Sequence, residues 1–380
     1  MEDNVRLMKG NEVLAEAAIR CGCDAYFGYP ITPQSEVLET LTEREPWEET
    51  GMVVLQAESE IAAINMVIGA SAAGKRAMTS SSSPGVALKA EGISYLAGCD
   101  LPAVVVNIQR GGPGLGGIQP SQADYFMATK GGGHGDFHMI VLAPKGVQEM
   151  YDLTYQAFDL ADKYRMTCMI LSDGILGQMM EPVEISDAAA ATYEKPWALT
   201  GTQGARKPNI VNSLYIDPQV LEDSVNARYE RYAEICENET RWEEMMTDDA
   251  DIVVVAYGAA SRIAANAVQM AREQGLKVGL LRPITLWPFP KAPLAKLAER
   301  VERFVCVELS KGQMVEDLEL AIRCKKPVQL CTRTGGMVVS PEEVLAKITN
   351  PDAGVASPDS FVGNDRGGLY VEPPVNCVRE

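Results

Sequence analysis

Two carboxylates open a run of small and apolar residues: Glu58 and Glu60 in Gln56-Ala57-Glu58-Ser59-Glu60-Ile61-Ala62-Ala63. The run reads as a helix over 58–73 that follows a short strand at 52–55. Positions two apart on a helix point in different directions. One carboxylate therefore faces water or the cap region, where the helix dipole favours it. The other lies along the face that carries Ile64, Val67 and Ile68 and points towards protein. A carboxylate against an apolar wall holds its proton more tightly and can exchange it near neutral pH. The plain alternative is a pair of ordinary helix-start glutamates, and spacing alone leaves both readings open.

Other reactive or polar residues sit where strands end. Arg110 follows an apolar strand at 103–108, the position at which open parallel sheets place ligands. Its guanidinium suits a forked bond to a carboxylate, or else a structural ion pair. The loop it opens, Arg110-Gly111-Gly112-Pro113-Gly114-Leu115-Gly116-Gly117, matches neither the dinucleotide fingerprint nor a P-loop. It reads as either a phosphate contact or a mobile or closely packed loop. Thr32 occupies a stiff turn between Pro30 and Pro33, where its hydroxyl either donates to a substrate carbonyl or caps the next helix. Ser82, within Thr79-Ser80-Ser81-Ser82-Ser83-Pro84-Gly85, has the same two options. His134, flanked by glycines in 131–135, is unsuited to a core and reads as a ligand or partner contact, or as simply exposed.

Elements that position these residues follow from the periodicity. Helix 10–21, strand 24–28, a helix to about 44, strand 52–55, helix 58–73, strand 76–79, helix 86–97, strand 103–108, strand 139–142, helix 147–164 and strand 167–171 alternate with short connections. That alternation predicts an α/β fold with a parallel sheet covered on both faces. Periodicity fades over 180–208, and Asp217-Pro218 then starts a long amphipathic helix expected to reach about residue 246. A second α/β block follows from residue 251. The expected divisions are 1–180, a linker with the long helix at 181–250, a second domain at 251–350, and an extended arm rich in Pro, Gly and Asp at 351–380.

Bulk properties exclude several classes. The chain has 380 residues, 46% hydrophobic, and a net charge of −18. An acidic surface argues against nucleic acid and anionic membranes as partners. No apolar run is long enough to span a bilayer and no signal pattern opens the chain, so a cytoplasmic protein is expected. The nine cysteines are scattered without a Cys-x-x-Cys pair, and there are two histidines, so local spacing encodes no metal or iron–sulfur site.

Taken in order, Gly10-Asn11-Glu12, Gly28-Tyr29-Pro30-Ile31-Thr32-Pro33, Gln56-Ala57-Glu58-Ser59-Glu60, Thr79-Ser80-Ser81-Ser82-Ser83-Pro84-Gly85, Gln109-Arg110-Gly111-Gly112-Pro113 and Gly132-Gly133-His134-Gly135 resemble the alpha subunit of 2-oxoacid:ferredoxin oxidoreductases. Among these the chain looks most like the branched-chain type, acting on 2-oxoisovalerate (3-methyl-2-oxobutanoate), with 2-oxoglutarate members next. The resemblance implies a pyrimidine-type thiamine-diphosphate-binding domain followed by a transketolase C-terminal-like α/β domain. It also implies oxidative decarboxylation of a 2-oxoacid to acyl-coenzyme A and CO2, with electrons leaving through iron–sulfur clusters to ferredoxin. By motif position Glu60 becomes the catalytic glutamate that hydrogen-bonds the cofactor's pyrimidine nitrogen. Thr32 and Arg110 become contacts to the substrate's oxo and carboxylate groups, and Ser82 and His134 remain possible loop contacts.

The thiamine-diphosphate pattern Gly-Asp-Gly followed by Asn-Asn is missing, and Ser172-Asp173-Gly174 only echoes it. Within the resemblance, the diphosphate and Mg half is therefore expected on a beta subunit, and the iron–sulfur clusters on partner subunits, with gamma and ferredoxin-like delta subunits completing a hetero-oligomer. The chain is expected to be active only in complex. The alternatives are a lipoamide-linked 2-oxoacid dehydrogenase subunit, a 2-oxoglutarate enzyme, and a non-catalytic assembly subunit.

Overall fold

The segment Ala-Val-Val-Val-Asn-Ile-Gln at 103–109 is buried along its whole length. It lies inside the largest sheet of the computed structural model, which describes residues 4–186 and 190–352. The first unit contains β1 (Val5–Lys9), α1 (Gly10–Arg20), β2 (Ala25–Gly28), α2 (Ser35–Arg44), α3 (Pro46–Glu49), β3 (Val53–Gln56), α4 (Glu60–Ala72), β4 (Ala77–Ser81) and α5 (Ser83–Gly98). It continues with β5 (Ala103–Gln109), α6 (Tyr125–Thr129), β6 (Ile140–Leu142), α7 (Val147–Tyr164), β7 (Thr167–Asp173), α8 (Gly174–Gln178) and β8 (Met180–Glu184). α9 (Pro218–Asn238) and β9 (Trp242–Met245) connect it to the second unit. That unit runs β10 (Ile252–Ala256), α10 (Gly258–Glu273), β11 (Val278–Pro283), β12 (Thr285–Trp287), α11 (Lys291–Ala298), β13 (Arg303–Glu308), α12 (Met314–Ala321), β14 (Val328–Thr332) and α13 (Pro341–Thr349).

The seven-stranded sheet has the order β12-β6-β7-β5-β4-β2-β3, and the five-stranded sheet the order β14-β13-β10-β11-β9. All pairings are parallel except those of β12 with β6 and β9 with β11. Side chains alternate across a strand. Val104, Val106 and Ile108 of β5 therefore join the core beneath α1 and α7. Ala103 and Val105 join a second core that packs α4 and α5 and runs on through Val253, Val255 and Phe304 of the second unit. Both faces are covered, as the strand–helix alternation requires.

Several elements differ from the sequence expectation for identifiable reasons. The amphipathic helix stops at Asn238 rather than near 246. There Glu239 is drawn off by Lys163 and the Tyr164 hydroxyl, each at 2.8 Å, and the chain turns into β9. β9 pairs with β11, and β12 crosses from the second block to pair with β6. β1 pairs antiparallel with β8 in a separate two-stranded sheet. These strands are short, and long-range pairing rather than local pattern creates them. α6, α8 and α13 likewise lacked an expected counterpart. Of the expected C-terminal arm, residues 353–380 lie outside the described residues.

The sheet's carboxyl edge is what positions the site. From β2 the chain goes to β3 on one side and then to β4 on the other. β2 and β4 pair only at Ala25–Ala77 and Tyr26–Met78. Beyond that point they diverge, the kind of crevice in which open sheets bind ligands. Its floor is closed by the Tyr26 hydroxyl at 2.6 Å from Ser80 Oγ, which in turn donates to Gln34 Oε1.

Candidate active site

The first turn of α4 decides between the two glutamates. Ser59 is the N-cap, and its Oγ accepts the Ala62 N–H at 3.1 Å. Glu58 thus precedes the helix and is exposed, while Glu60 is its first residue and is only 7% exposed. Among the described residues the Glu60 carboxylate takes part in no ion pair and no hydrogen bond. It lies against the start of α5, where a Cβ added to Gly85 would stand 2.8 Å from Glu60 Oε1 and 2.1 Å from Ser81 Oγ. Only glycine leaves that niche open.

The serine tract supplies the niche's other wall. Ser82 is the N-cap residue of α5 by position, but its side chain makes no capping bond. The hydroxyls of Thr79, Ser81 and Ser82 are all buried without a partner. Buried polar groups are normally bonded, so a cluster of unbonded hydroxyls beside an unbonded carboxylate marks a place for a polar ligand. Ser83 does something the sequence did not suggest. Its hydroxyl accepts the Arg110 N–H at 3.0 Å and donates to the Arg110 carbonyl at 3.2 Å, tying α5 to the end of β5.

Arg110 is 7% exposed, and among the described residues no carboxylate lies within ion-pairing distance of it. Its Nη1 donates to the Thr32 carbonyl at 2.9 Å and its Nη2 to the Leu115 carbonyl at 3.1 Å, while Nε has no partner. Among the described residues no ion pair holds it, so a buried cation remains there without a compensating carboxylate. The glycine loop is held by its own backbone: Gly117 N–H donates to Gly111 O at 2.8 Å and Gly111 N–H to Gln119 O at 2.9 Å. Those two donors are spent within the loop, whose residues 112–119 are exposed. A Cβ on Gly111 would lie 3.4 Å from Gly335, so the second unit braces the loop from behind.

Thr32 is exposed and is not a helix cap, since Gln34 holds the N-cap position of α2. Its carbonyl fixes Arg110, and among the described residues its hydroxyl makes no hydrogen bond. His134 is exposed on loop 131–136, which rests on α5: a Cβ on Gly133 would meet the Ala90 carbonyl at 2.4 Å. No hydrogen bond or ion pair among the described residues joins His134 to Glu60, Thr32 or Arg110. The structure thus brings Glu60, Ser82, Arg110 and Thr32 to one edge, with His134 on a neighbouring loop.

Sequence reasoning passed over two titratable groups here. Asp124 accepts Asn107 Nδ2 at 2.9 Å, and burial raises its pKa. Lys89, on α5, is fully buried, and burial lowers its pKa to about 8 against the pull of Glu60. The available signal was a lysine amid Val86, Ala87, Leu88 and Ala90, on the face shared with Gly85 and Gly92. Among the described residues no group of His, Cys, Asp and Glu is arranged to hold a metal ion, and no helix is long and apolar enough to cross a membrane.

Two family models match: "Pyruvate flavodoxin/ferredoxin oxidoreductase, thiamine diP-bdg" over residues 16–247, and "Pyruvate:ferredoxin oxidoreductase core domain II" over 250–344. The chain is 51% identical over 344 residues to ketoisovalerate oxidoreductase subunit VorB of Methanothermobacter thermautotrophicus, covering 90% of this chain and 97% of that one. It is 36% identical over 371 residues to 2-oxoglutarate synthase subunit KorA of the same organism, with the same coverage. Among solved structures, 2-oxoglutarate:ferredoxin oxidoreductase from Magnetococcus marinus, solved with 2-oxoglutarate, coenzyme A and succinyl-CoA bound, superposes with a TM-score of 0.80 at 28% identity. That match covers 91% of this chain and 65% of that one, so the chain spans just under two thirds of the solved relative. A split-gene transketolase, 13% identical with a TM-score of 0.56, shares the fold.

Proposed function

The chain belongs to the pyruvate flavodoxin/ferredoxin oxidoreductase family, and from that premise we propose that it is the alpha subunit of a 2-oxoacid:ferredoxin oxidoreductase acting on a branched-chain 2-oxoacid, best fitted by 2-oxoisovalerate. The observation that carries this reading is the pairing, on one sheet edge, of a buried carboxylate and a buried arginine that, among the described residues, have no charged partner of their own. The likeness at 51% to a ketoisovalerate enzyme, against 36% to a 2-oxoglutarate enzyme, supports the branched-chain substrate.

The niche fits one half of thiamine diphosphate. When bound, that cofactor supplies the carbon nucleophile for the 2-oxo group and takes up the electrons left by decarboxylation. Glu60, dry and facing the space that Gly85 leaves open, would hold the pyrimidine ring and exchange a proton at its ring nitrogen. Ser82, with its unbonded hydroxyl, lines the same wall. Arg110 would fork onto the substrate carboxylate with its guanidinium already aimed by two carbonyls, so little ordering remains to be done on binding. The hydroxyl of Thr32 would donate to the oxo group, and His134 would contact a partner or the entrance.

The diphosphate and Mg half is assigned to a beta subunit, because the Gly-Asp-Gly and Asn-Asn pattern is missing from the sequence. Iron–sulfur clusters are assigned to a ferredoxin-like delta subunit, with a gamma subunit completing the complex. Coenzyme A and ferredoxin are met through that assembly, in the cytoplasm. Exposed apolar residues near the site, Leu55, Ile61 and Leu88, offer the beta subunit a docking face.

The test is viologen-dye reduction by the purified complex with coenzyme A, across pyruvate, 2-oxoglutarate, 2-oxoisovalerate and indolepyruvate. The expected outcome is highest kcat/KM with 2-oxoisovalerate, no dye reduction by this chain alone, and loss of roughly 100-fold or more in turnover for Glu60→Gln in an assembled complex. Undiminished turnover by Glu60→Gln would leave only an assembly role.

A further inference from the structure

The motif Gly10-Asn11-Glu12 opens α1, yet none of its residues belongs to the site described above. Gly10 and Glu12 act locally. The Gly10 N–H donates to the Met179 carbonyl at 3.1 Å, and a Cβ there would meet the Leu176 carbonyl at 2.1 Å. Glu12 turns back to accept the Lys9 N–H at 2.9 Å and closes the start of the helix. Asn11 is different. It is 0% exposed, and its amide reaches out of α1: Nδ2 donates to the Pro33 carbonyl at 2.7 Å and to Glu36 Oε2 at 2.9 Å. Its Oδ1 is buried without a partner among the described residues. That orphan acceptor is a cost to the fold, so cohesion alone does not account for an asparagine there.

What Asn11 holds is the turn that carries Thr32. The Pro33 carbonyl also accepts Gln178 Nε2 at 3.3 Å, and the same amide donates to Glu36 Oε1 at 2.7 Å. A Cβ on Gly177 would lie 2.7 Å from Asn11 Oδ1 and one on Gly174 would lie 3.2 Å from Pro33 Cγ, so α8 closes tightly on both partners. Across the turn, the Gln34 N–H donates to the Ile31 carbonyl at 3.0 Å, and Gln34 Oε1 accepts the Ser80 hydroxyl. The carbonyl next to that of Pro33 is the one from Thr32 that accepts Arg110 Nη1 at 2.9 Å. Adjacent peptide units are rigid planes hinged at one Cα, so a shift of the Pro33 carbonyl is passed to the Thr32 carbonyl.

We propose that Asn11 is a positioning residue for the substrate's carboxylate: by fixing the Pro33 carbonyl it sets where the Thr32 carbonyl stands, and so how Arg110 is aimed. The residue type follows from the task. Aspartate would set a carboxylate against a carbonyl and against Glu36, and could donate to neither. Alanine would leave both acceptors to Gln178, which is exposed and makes the longer bond to Pro33. The inference rests on the carboxylate-binding role of Arg110 proposed above.

The experiment uses the assembled complex carrying Asn11→Ala, Gln178→Ala or Arg110→Met, and each of the first two combined with Arg110→Met. It records kcat and KM for 2-oxoisovalerate by dye reduction, with a thermal melt of each complex. Asn11→Ala is expected to raise the KM about 3- to 10-fold with kcat within about twofold of the parent, and Gln178→Ala to raise it about twofold. Arg110→Met should raise it further than either. Combined with Arg110→Met, Asn11→Ala should add less than about twofold, because no guanidinium is left to aim. A purely structural residue would instead multiply its loss onto that of Arg110→Met. Such multiplication, or an unmoved KM in Asn11→Ala, overturns the inference. If Asn11→Ala does not assemble, Gln178→Ala decides by the same two criteria. An Arg110→Met complex with the parent's KM would bring down the reading of Arg110 itself, whatever the Asn11 variants do.

Discussion

Arg110 is oriented by two main-chain carbonyls and, among the described residues, compensated by no carboxylate, so its replacement separates charge from shape. Lysine keeps the charge but cannot reach both carbonyls and a substrate carboxylate at once. Arg110→Lys is expected to raise the KM for the 2-oxoacid roughly 10- to 100-fold, with kcat less affected and the melting temperature nearly unchanged. A steady-state titration with a parallel thermal melt checks this. Lys89 makes a prediction about the fold itself. Its pKa falls from 10.5 to about 8, so between those values the unfolded chain binds more protons than the folded one. Stability from this group therefore rises with pH across that window, and below pH 8 the full penalty is present. Lys89→Met is expected to stabilise the protein at neutral pH by on the order of 3 kcal/mol and to remove the rise between pH 8 and 10.5. Denaturant melts of the complex across that range measure both. Little of this was legible residue by residue. Spacing left Glu58 and Glu60 as equals, because what separates them is the Ser59 cap, a one-residue matter of where the helix begins. Arg110 kept an ion-pair alternative that only the three-dimensional absence of a carboxylate among the described residues could remove.

Elements were more legible. α7 falls at 147–164, where periodicity is strong, and α9 starts at Asp217-Pro218, where cap chemistry marks it. β9 and β12 were not legible, because Trp-Glu-Glu-Met and Thr-Leu-Trp carry no period of their own and become strands only by pairing with distant partners. The close approach of α4 and α5 was also hidden in the sequence, though Gly85 and Gly92 mark the face that makes it. A Cβ at Gly92 would lie 2.5 Å from Ile64 Cγ2. Gly92→Val is therefore expected to push the helices apart and cost about 1–3 kcal/mol. Turnover should fall as well, because α4 carries Glu60. Ile64→Ala in the same chain should recover part of both losses, as read by chemical denaturation and dye reduction.

For the molecule as a whole, the two units interlock more tightly than a linker-and-domain description suggests. Gln122 Nε2 donates to the Tyr257 carbonyl at 2.9 Å and Gln122 Oε1 accepts the Leu309 N–H at 3.0 Å, joining the first unit to the ends of β10 and β13. β12 closes the edge of the first unit's sheet, and β9 closes the edge of the second's. A chain ending after Ala250 would leave β6 unpaired on one side and β9 without β11. It is expected to aggregate or to lose near-ultraviolet circular dichroism while keeping helical signal, which light scattering and spectra of the purified fragment would reveal. Fold class follows from strand–helix alternation, but this interlock does not, because it is written in pairings between distant segments.

The crossing of β12 also bears on how the protein is made. Translation delivers roughly 5–20 residues per second, and the partner that covers β6 at Val141 and Leu142 lies at Thr285 and Trp287. Until residues 285–287 are made, the nascent first unit therefore keeps an open hydrogen-bonding border, and the core that runs on through Val253, Val255 and Phe304 is incomplete. During that interval it is exposed to capture by chaperones or by a neighbouring ribosome's product. Slowing synthesis between codons 142 and 285 should lengthen the vulnerable period and lower the soluble yield.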